Sequence, residues 1–332
     1  MSDITLDLAQ MMVVRRAWWT TLEITFWIAA AASYFLFPAK LVLLTQMLIG
    51  GLFAISLDQL PGYGGIPSFG HAAFFGLGAY AEGLLAAHGW GEPLSGVLLA
   101  GLASGGVGLA FSSVIAKVRG AAVLMVTLCI GPLLYQAASR MLWLTGGDAG
   151  LQGIDMWPLL GLFEFDLFGQ TAFWYAYAVA FLLYLAARRY IHSPAGLALK
   201  GIRENHDRVP MLGVSTAHRK MIAFTISVTI PGIAGALLAQ TTQIVALETL
   251  SFERSVAALI MLIVGGLGTL IGGFIGAAAF IWARDVLSAL NPVYWMFWLG
   301  LILIALVLTA RGGLVGALKL LADFVARKRK PR

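Results

Sequence analysis

The sequence predicts an all-α, polytopic transmembrane helical bundle, a single membrane domain over residues 1–332. Three observations carry that expectation. Hydrophobic residues make up 60% of the chain and charged residues 11%, where a soluble domain carries about a quarter charged residues. Apolar stretches close to the roughly 20 residues that cross a bilayer recur from Leu22 to Ala310. These runs are continuous rather than alternating in roughly 10-residue segments, which argues against a β-barrel.

The elements follow in order. Residues 1–21 form a short N-terminal segment. It contains Asp3, Asp7, Arg15 and Arg16 and lacks the apolar core and small-residue cleavage site of a signal peptide. The membrane bundle covers 22–310. Its expected spans are 22–37, 41–60, 70–88, 94–116, 121–144, 171–190, 221–244, 255–267, 269–290 and 294–310, the first short and the eighth a short span or half-helix. That gives about ten transmembrane helices, with eight crossings and two re-entrant segments as the alternative. Residues 311–332 form a basic tail.

Charge placement orients the bundle, because topology follows lysine and arginine rather than net charge. Seven of the 22 Lys and Arg residues fall between Arg188 and Lys220, and seven more between Arg311 and Arg332. The 145–170 segment has none and carries Asp148, Asp155, Glu164 and Asp166. The 191–220 segment and both termini are therefore expected in the cytoplasm, and 145–170 outside. A basic tail beside a bilayer marks the cytosolic face or anionic lipid rather than nucleic acid. The single cysteine, Cys129, lies in an apolar run and has no partner for an internal disulfide.

Two glycine-rich breaks interrupt the spans: Pro61-Gly62-Tyr63-Gly64-Gly65-Ile66-Pro67-Ser68-Phe69-Gly70-His71, and Gly265-Gly266-Leu267-Gly268-Thr269-Leu270-Ile271-Gly272-Gly273. Backbone freed from helix bonding cannot face lipid, so it is buried in protein or lines a polar cavity. Interrupted segments in the two halves of a transporter point to its substrate path. Tyr63, Ser68, Phe69, His71 and Phe75 at the first break, with Gly265, Gly266, Gly268 and Thr269 at the second, are the candidate path residues. The plainer account of 39 glycines is close helix packing. Ser68 also suits the N-cap of a helix starting near Phe69.

The 191–220 segment is a polar insertion in an otherwise short-looped chain. Residues 195–209 suit an amphipathic helix with Leu197, Leu199, Ile202 and Val209 on one side, ended by Pro210. Such a helix lies on a membrane or docks in a partner's groove. Ionisable residues inside spans are costly and default to functional candidates: Glu82, Arg140, Arg284 and Asp285. Glu82 and Arg140 are expected to pair across helices, and Arg284 and Asp285 to sit near the outer interface. There is no GxxxxGK[ST] loop, HExxH pair, clustered Cys/His spacing or nucleophile elbow. No catalytic residue, metal site or cofactor is expected on this chain, and any ATP and magnesium belong to another polypeptide.

At this point the residues resemble a known family. Gly62-Tyr63 together with Ser68-Phe69-Gly70-His71-Ala72-Ala73-Phe74-Phe75-Gly76-Leu77-Gly78-Ala79-Tyr80 is similar to the signature of LivM-type permeases of branched-chain amino acid ABC importers. Thr145 to Ile154, Gly201-Ile202-Arg203-Glu204-Asn205, Leu212-Gly213-Val214 and the Gly265 to Thr269 break fit the same pattern, in order over residues 60–280. The resemblance implies a type II importer permease of about ten helices in a bacterial inner membrane. Its partners would be a second, LivH-like permease, two cytoplasmic ATPase subunits and a periplasmic substrate-binding protein, with lipid around the bundle. Gly196, Leu199, Gly201, Ile202, Arg203, Glu204, Asn205 and Asp207 resemble the family's ATPase coupling segment. Val209-Pro210 and the arginine-free Ala195-Gly196-Leu197 depart from the pattern. The implied activity is translocation of branched-chain or related hydrophobic amino acids, or of urea or amides within the same family. An ion-coupled secondary transporter or channel is the rival from another class, and an integral enzyme acting on lipid lacks a reactive constellation.

Overall fold

The computed structural model describes residues 19–166, 168–309 and 312–318. The N-terminal segment before Trp19 and most of the basic tail, including Arg327 to Lys330, lie outside the described residues. Thr20 opens the first helix with a reciprocal capping box: its hydroxyl accepts the Glu23 N–H at 3.3 Å, and Glu23 accepts the Thr20 N–H at 2.9 Å.

The main helices are α1 (Thr21–Leu36), α2 (Leu41–Asp58), α3 (His71–Ala87), α4 (Pro93–Ile115), α5 (Ala121–Arg140), α6 (Gln170–Ile191), α7 (Pro194–Glu204), α8 (Thr216–Thr242), α9 (Phe252–Gly265), α10 (Ile271–Leu290) and α11 (Trp295–Thr309). Among the described residues there is no strand, only isolated bridges joining Leu151 to Val245 and Leu159 to Phe163.

Each of the ten intervals expected as a span holds a helix. Six helices are long and apolar enough to cross a membrane: α2 with its continuation to Gly64, α4, α5, α6, α8 and α10. The other four, α1, α3, α9 and α11, hold 16, 17, 14 and 15 residues, short of the roughly 20 that a full hydrocarbon layer demands. Most boundaries lie within a few residues of expectation, although α8 begins at Thr216, five residues early. The helix expected to reach residue 144 ends at Arg140, and Leu142–Thr145 forms a separate turn. The first break begins as a π-turn over Gln59–Gly64 rather than as irregular chain. Pro61 has no N–H to donate, and a widened turn tolerates that loss.

The longest helix, α8, is central and packs most extensively on α3 and α4. Glycines make this possible. A side chain at Gly78 would strike the backbone of Gly232, and one at Gly235 the carbonyl of Phe75, so the two backbones approach directly. A second layer joins α2 to α10, where Gly51 faces the Phe274 ring. Around Phe274 a buried aromatic cluster ties in α1 and α6: Trp27 lies 5.2 Å from Phe274, 5.0 Å from Phe181 and 5.4 Å from Tyr184. With no water in the bilayer to drive burial between spans, this interlocking contact holds the helices together.

Candidate functional site

The two glycine breaks, some 200 residues apart in sequence, meet in space and complete each other. Asp58, the last residue of α2, is fully buried. Its Oδ1 accepts the N–H of Gly268 at 2.7 Å. Gly268 has φ of 75°, a conformation that disfavours a side chain. Gly62 leaves room for this contact, because a Cβ there would run into the Asp58 carboxylate. Tyr63 reaches the same place, its hydroxyl accepting the Leu270 N–H at 3.4 Å. Thr269 donates its hydroxyl to the Gly266 carbonyl at 2.7 Å. Backbone released by the second break is thus satisfied by side chains of the first, as a low-dielectric setting demands.

Helix α7 is seated on this junction. Ser193 caps it by accepting the Gly196 N–H at 3.4 Å. Leu199 and Ile202 are buried, and Leu199 joins Leu60 in one apolar cluster with partly buried Tyr63 packed on it. Arg203 donates from its guanidinium to the carbonyl of Gly62. Lys200 lies 5.2 Å from the Tyr63 ring centroid and donates to the Ile191 carbonyl at 3.4 Å. Gly196 packs against the Ile191 carbonyl with no room for a side chain. The exposed face carries Leu197, Glu204, Asn205 and Asp207. The helix ends at Glu204, not at residue 209. Asn205 Oδ1 accepts the N–H groups of Asp207 at 3.2 Å and Arg208 at 3.1 Å, which turns the chain five residues before Pro210. Pro210 instead begins a 3₁₀ turn, Val209–Leu212. Asp207 also pairs with Arg119 at 3.4 Å, an exposed contact worth little.

Several candidates have structural surroundings. His71 is fully buried and bonded at both ring nitrogens, to Ser68 Oγ at 3.1 Å and Ser227 Oγ at 2.8 Å. Ser227 in turn donates to the Ser56 carbonyl at 2.6 Å. Its oxygen is then left to accept from Nε2–H, and Nδ1 accepts from Ser68. His71 therefore clamps α3 to α8 and, through Ser227, to α2. Ser68 is not an N-cap: the helix starts at His71 after Gly70, with no side-chain cap. Phe69 donates its N–H to Thr127 at 3.3 Å and packs 5.8 Å from the Phe252 ring. The expected Glu82–Arg140 pair does not form. Glu82 is fully buried and accepts from Gln240 Nε2 at 2.8 Å, whereas Arg140 is exposed in the last turn of α5. Asp285 pairs with Lys40 at 3.1 Å across two elements.

Three polar residues of consequence escaped the sequence reading. Asp58 lies inside the expected 41–60 span, so its charge alone marks it. Gln240 carries no charge, and no sequence signal separated it from the other amides. Arg254 sits one residue before the expected 255–267 segment, where a boundary error hid it.

At the opposite end of α8 from α7 lies a cavity of about 370 Å³, between α2, α3, α8, α9 and α10. Phe53 and Phe75, stacked 4.8 Å apart, form one wall. Gln46, Glu248, Arg254 and Arg284 bring polar groups to it. The 27 residues of α8 put roughly 40 Å between its two ends, at about 1.5 Å per residue. Among the described residues no group of three or more His, Cys, Asp or Glu side chains is placed to hold a metal ion.

The family described as "Branched-chain amino acid transport system / permease component" matches residues 41–307, and the chain belongs to it. It is 27% identical to the high-affinity branched-chain amino acid transport system permease protein LivM of Salmonella typhimurium, over 87% of this chain and 72% of that one. It is 26% identical to the Escherichia coli protein of the same name, over 82% and 68%. It is also 30% identical to the autoinducer 2 import system permease protein LsrC of an Enterobacter strain, over 71% and 68%. No solved structure matches the chain.

Proposed function

We propose that this member of the branched-chain amino acid permease family is the membrane subunit of an ATP-driven importer, moving branched-chain or related hydrophobic amino acids by alternating access. The single domain crosses the inner membrane ten times with both termini in the cytoplasm. A LivH-like permease lies beside it, two ATPases carrying ATP and magnesium bind the α7 side, and a periplasmic binding protein delivers substrate to the 145–170 side. The residues of this chain transmit and guide; hydrolysis belongs to the partners.

The observation that carries this reading is the path of contacts from α7 to both breaks. Arg203 holds the Gly62 carbonyl, and Asp58, four residues earlier, holds Gly268. A push on α7 therefore reaches the ends of α2 and α9 and the start of α10 without passing through soft loops. Helices joined through one hydrogen-bonded junction would move together, as alternating access requires.

The test is ATP-dependent uptake of labelled leucine by proteoliposomes containing the complex co-purified with this chain. Wild type is compared with Arg203→Met, which keeps length and removes the donor. Uptake per ATP hydrolysed is expected to fall about tenfold in the variant, the effect of losing about 1.4 kcal/mol of coupling. Uptake by the chain alone, driven by an ion gradient, would replace this reading with a secondary transporter. A complex with its ATPases that hydrolyses ATP but ignores leucine would keep the mechanism and change the substrate.

A further inference from the structure

The cavity at the far end of α8 has a charge pattern that packing does not account for. Arg254 and Arg284 both line it. Among the described residues, neither has a carboxylate within ion-pair distance. Asp285 is taken by Lys40, and Glu248 stands at the cavity without closing on Arg254. The Nε of Arg254 is buried with no hydrogen-bond partner. Its guanidinium lies 5.8 Å from the Phe75 ring, a weak substitute for an anion. Two cations facing one partly open cavity repel each other and favour an anion between them, because a half-buried charge without a partner is costly.

The rest of the lining narrows the choice of anion. Glu248 is exposed at the cavity, so a ligand that offers only negative charge meets repulsion there. A ligand with a carboxylate and an adjacent ammonium meets none. The remaining wall is apolar, built from Phe53, Phe75 and Met261 among others, and leaves a place for a hydrocarbon side chain. Guanidinium groups grip carboxylates in paired hydrogen bonds, and a pocket of mostly apolar wall with a few convergent polar groups is the usual form of a small-molecule site.

We propose that this cavity is a binding site within the permease for an apolar α-amino acid zwitterion, with Arg254 and Arg284 holding the carboxylate, Glu248 the ammonium, and the Phe53–Phe75 wall the side chain. The proposal rests on the reading of the chain as an amino acid importer and adds that the permease itself recognises its cargo. Such a site lies at the end of the molecule bridged to the 145–170 segment through Leu151 and Val245, where a delivered substrate arrives.

The test uses the complex co-purified with this chain, in nanodiscs, with Cys129→Ser to remove the native thiol. Thr242→Cys places a reporter on the cavity wall, and its reaction with a membrane-impermeant maleimide is timed. Leucine is expected to slow labelling about tenfold at saturation, as a tenfold excess over its dissociation constant would. 4-Methylpentanoate, which lacks the ammonium, and 3-methylbutylamine, which lacks the carboxylate, should not. Adding Arg254→Met or Arg284→Met should abolish protection, and Arg254→Lys should restore part of it, in complexes that elute with their partners as wild type does. Import of leucine by the wild-type complex without any protection of the Thr242→Cys thiol would overturn the site alone. Equal protection in the Arg254→Met complex, or protection that follows lipid composition rather than leucine, would also overturn it. Absence of ATP-dependent leucine uptake in a wild-type complex that still hydrolyses ATP would remove the apolar amino acid assignment and this site together, and leave the importer mechanism standing.

Discussion

The two ends of α8 handle freed backbone and charged side chains in different ways. At the α7 end, Asp58, Tyr63, Thr269 and Arg203 each find a backbone partner at the glycine breaks. At the other end, Arg254 and Arg284 face open volume, and one guanidinium nitrogen is buried with nothing to bond. Where helices are interrupted in the interior, the freed N–H groups of Gly268 and Leu270 find side-chain acceptors, because they have no water to turn to, while Asp58 Oδ2 and the Gln59 amide stay buried without a partner. Where the chain keeps charges around a space, the missing partner comes from outside. The first end is built to hold two helix breaks together, and the second to receive something.

The largest effect that would break this contrast is expected from Asp58→Ala. It removes the acceptor of the Gly268 N–H and leaves a buried donor unpaired, at a cost of about 2–3 kcal/mol. A markedly lower thermal midpoint of the purified complex and loss of uptake are expected; an unchanged midpoint would show that the junction is incidental. Gly268→Ala comes next. It keeps every partner but adds a side chain at a φ of 75°, costing about 1–2 kcal/mol, read by the same thermal scan.

The cavity end should respond in the reverse manner. Arg254→Met removes a charge without a carboxylate partner, so its effect on the thermal midpoint is expected to stay below about 1 kcal/mol. A large loss of stability would place Arg254 in the packing and remove the contrast between the two ends. The smallest effect belongs to Glu92, which caps α4 outside the bilayer by accepting the Ser95 N–H at 2.8 Å. Bonds from the Ser95 hydroxyl and backbone hold its carboxyl below the ordinary 4.5. A lowered value in the folded state means its contribution is present above the ordinary carboxylate range and is lost as pH falls through the folded value. A slight acid-side drop in thermal midpoint is expected, absent in Glu92→Gln.

Much of the bundle could be read from the chain. Apolar runs marked where ten of the helices lie, six of them long and apolar enough to cross a membrane, because a bilayer imposes composition directly on sequence. The glycine breaks were visible for the same reason: Gly and Pro clusters are rare enough inside spans to stand out. Candidate residues read less well. His71 and Glu82 stood out as polar groups in apolar runs, but their partners, Ser227 and Gln240, lie about 156 and 158 residues away, and no spacing rule joins residues at that distance. Asn205 ended α7 through a turn of its own side chain, overriding the more conspicuous Pro210.

The sequence by itself determined the all-helical class of the molecule, the approximate places of its apolar helices, the family and the position of α7, since each depends on local composition or on a contiguous motif. Only the tertiary structure decided that Asp58 joins the two breaks, that Arg203 reaches Gly62, and that Arg254, Arg284 and Glu248 share one cavity. Those are relations between separate helices. Their energies depend on distances of a few ångströms that are set by how glycine-lined backbones pack, and packing is a property of the whole bundle rather than of any one stretch of it.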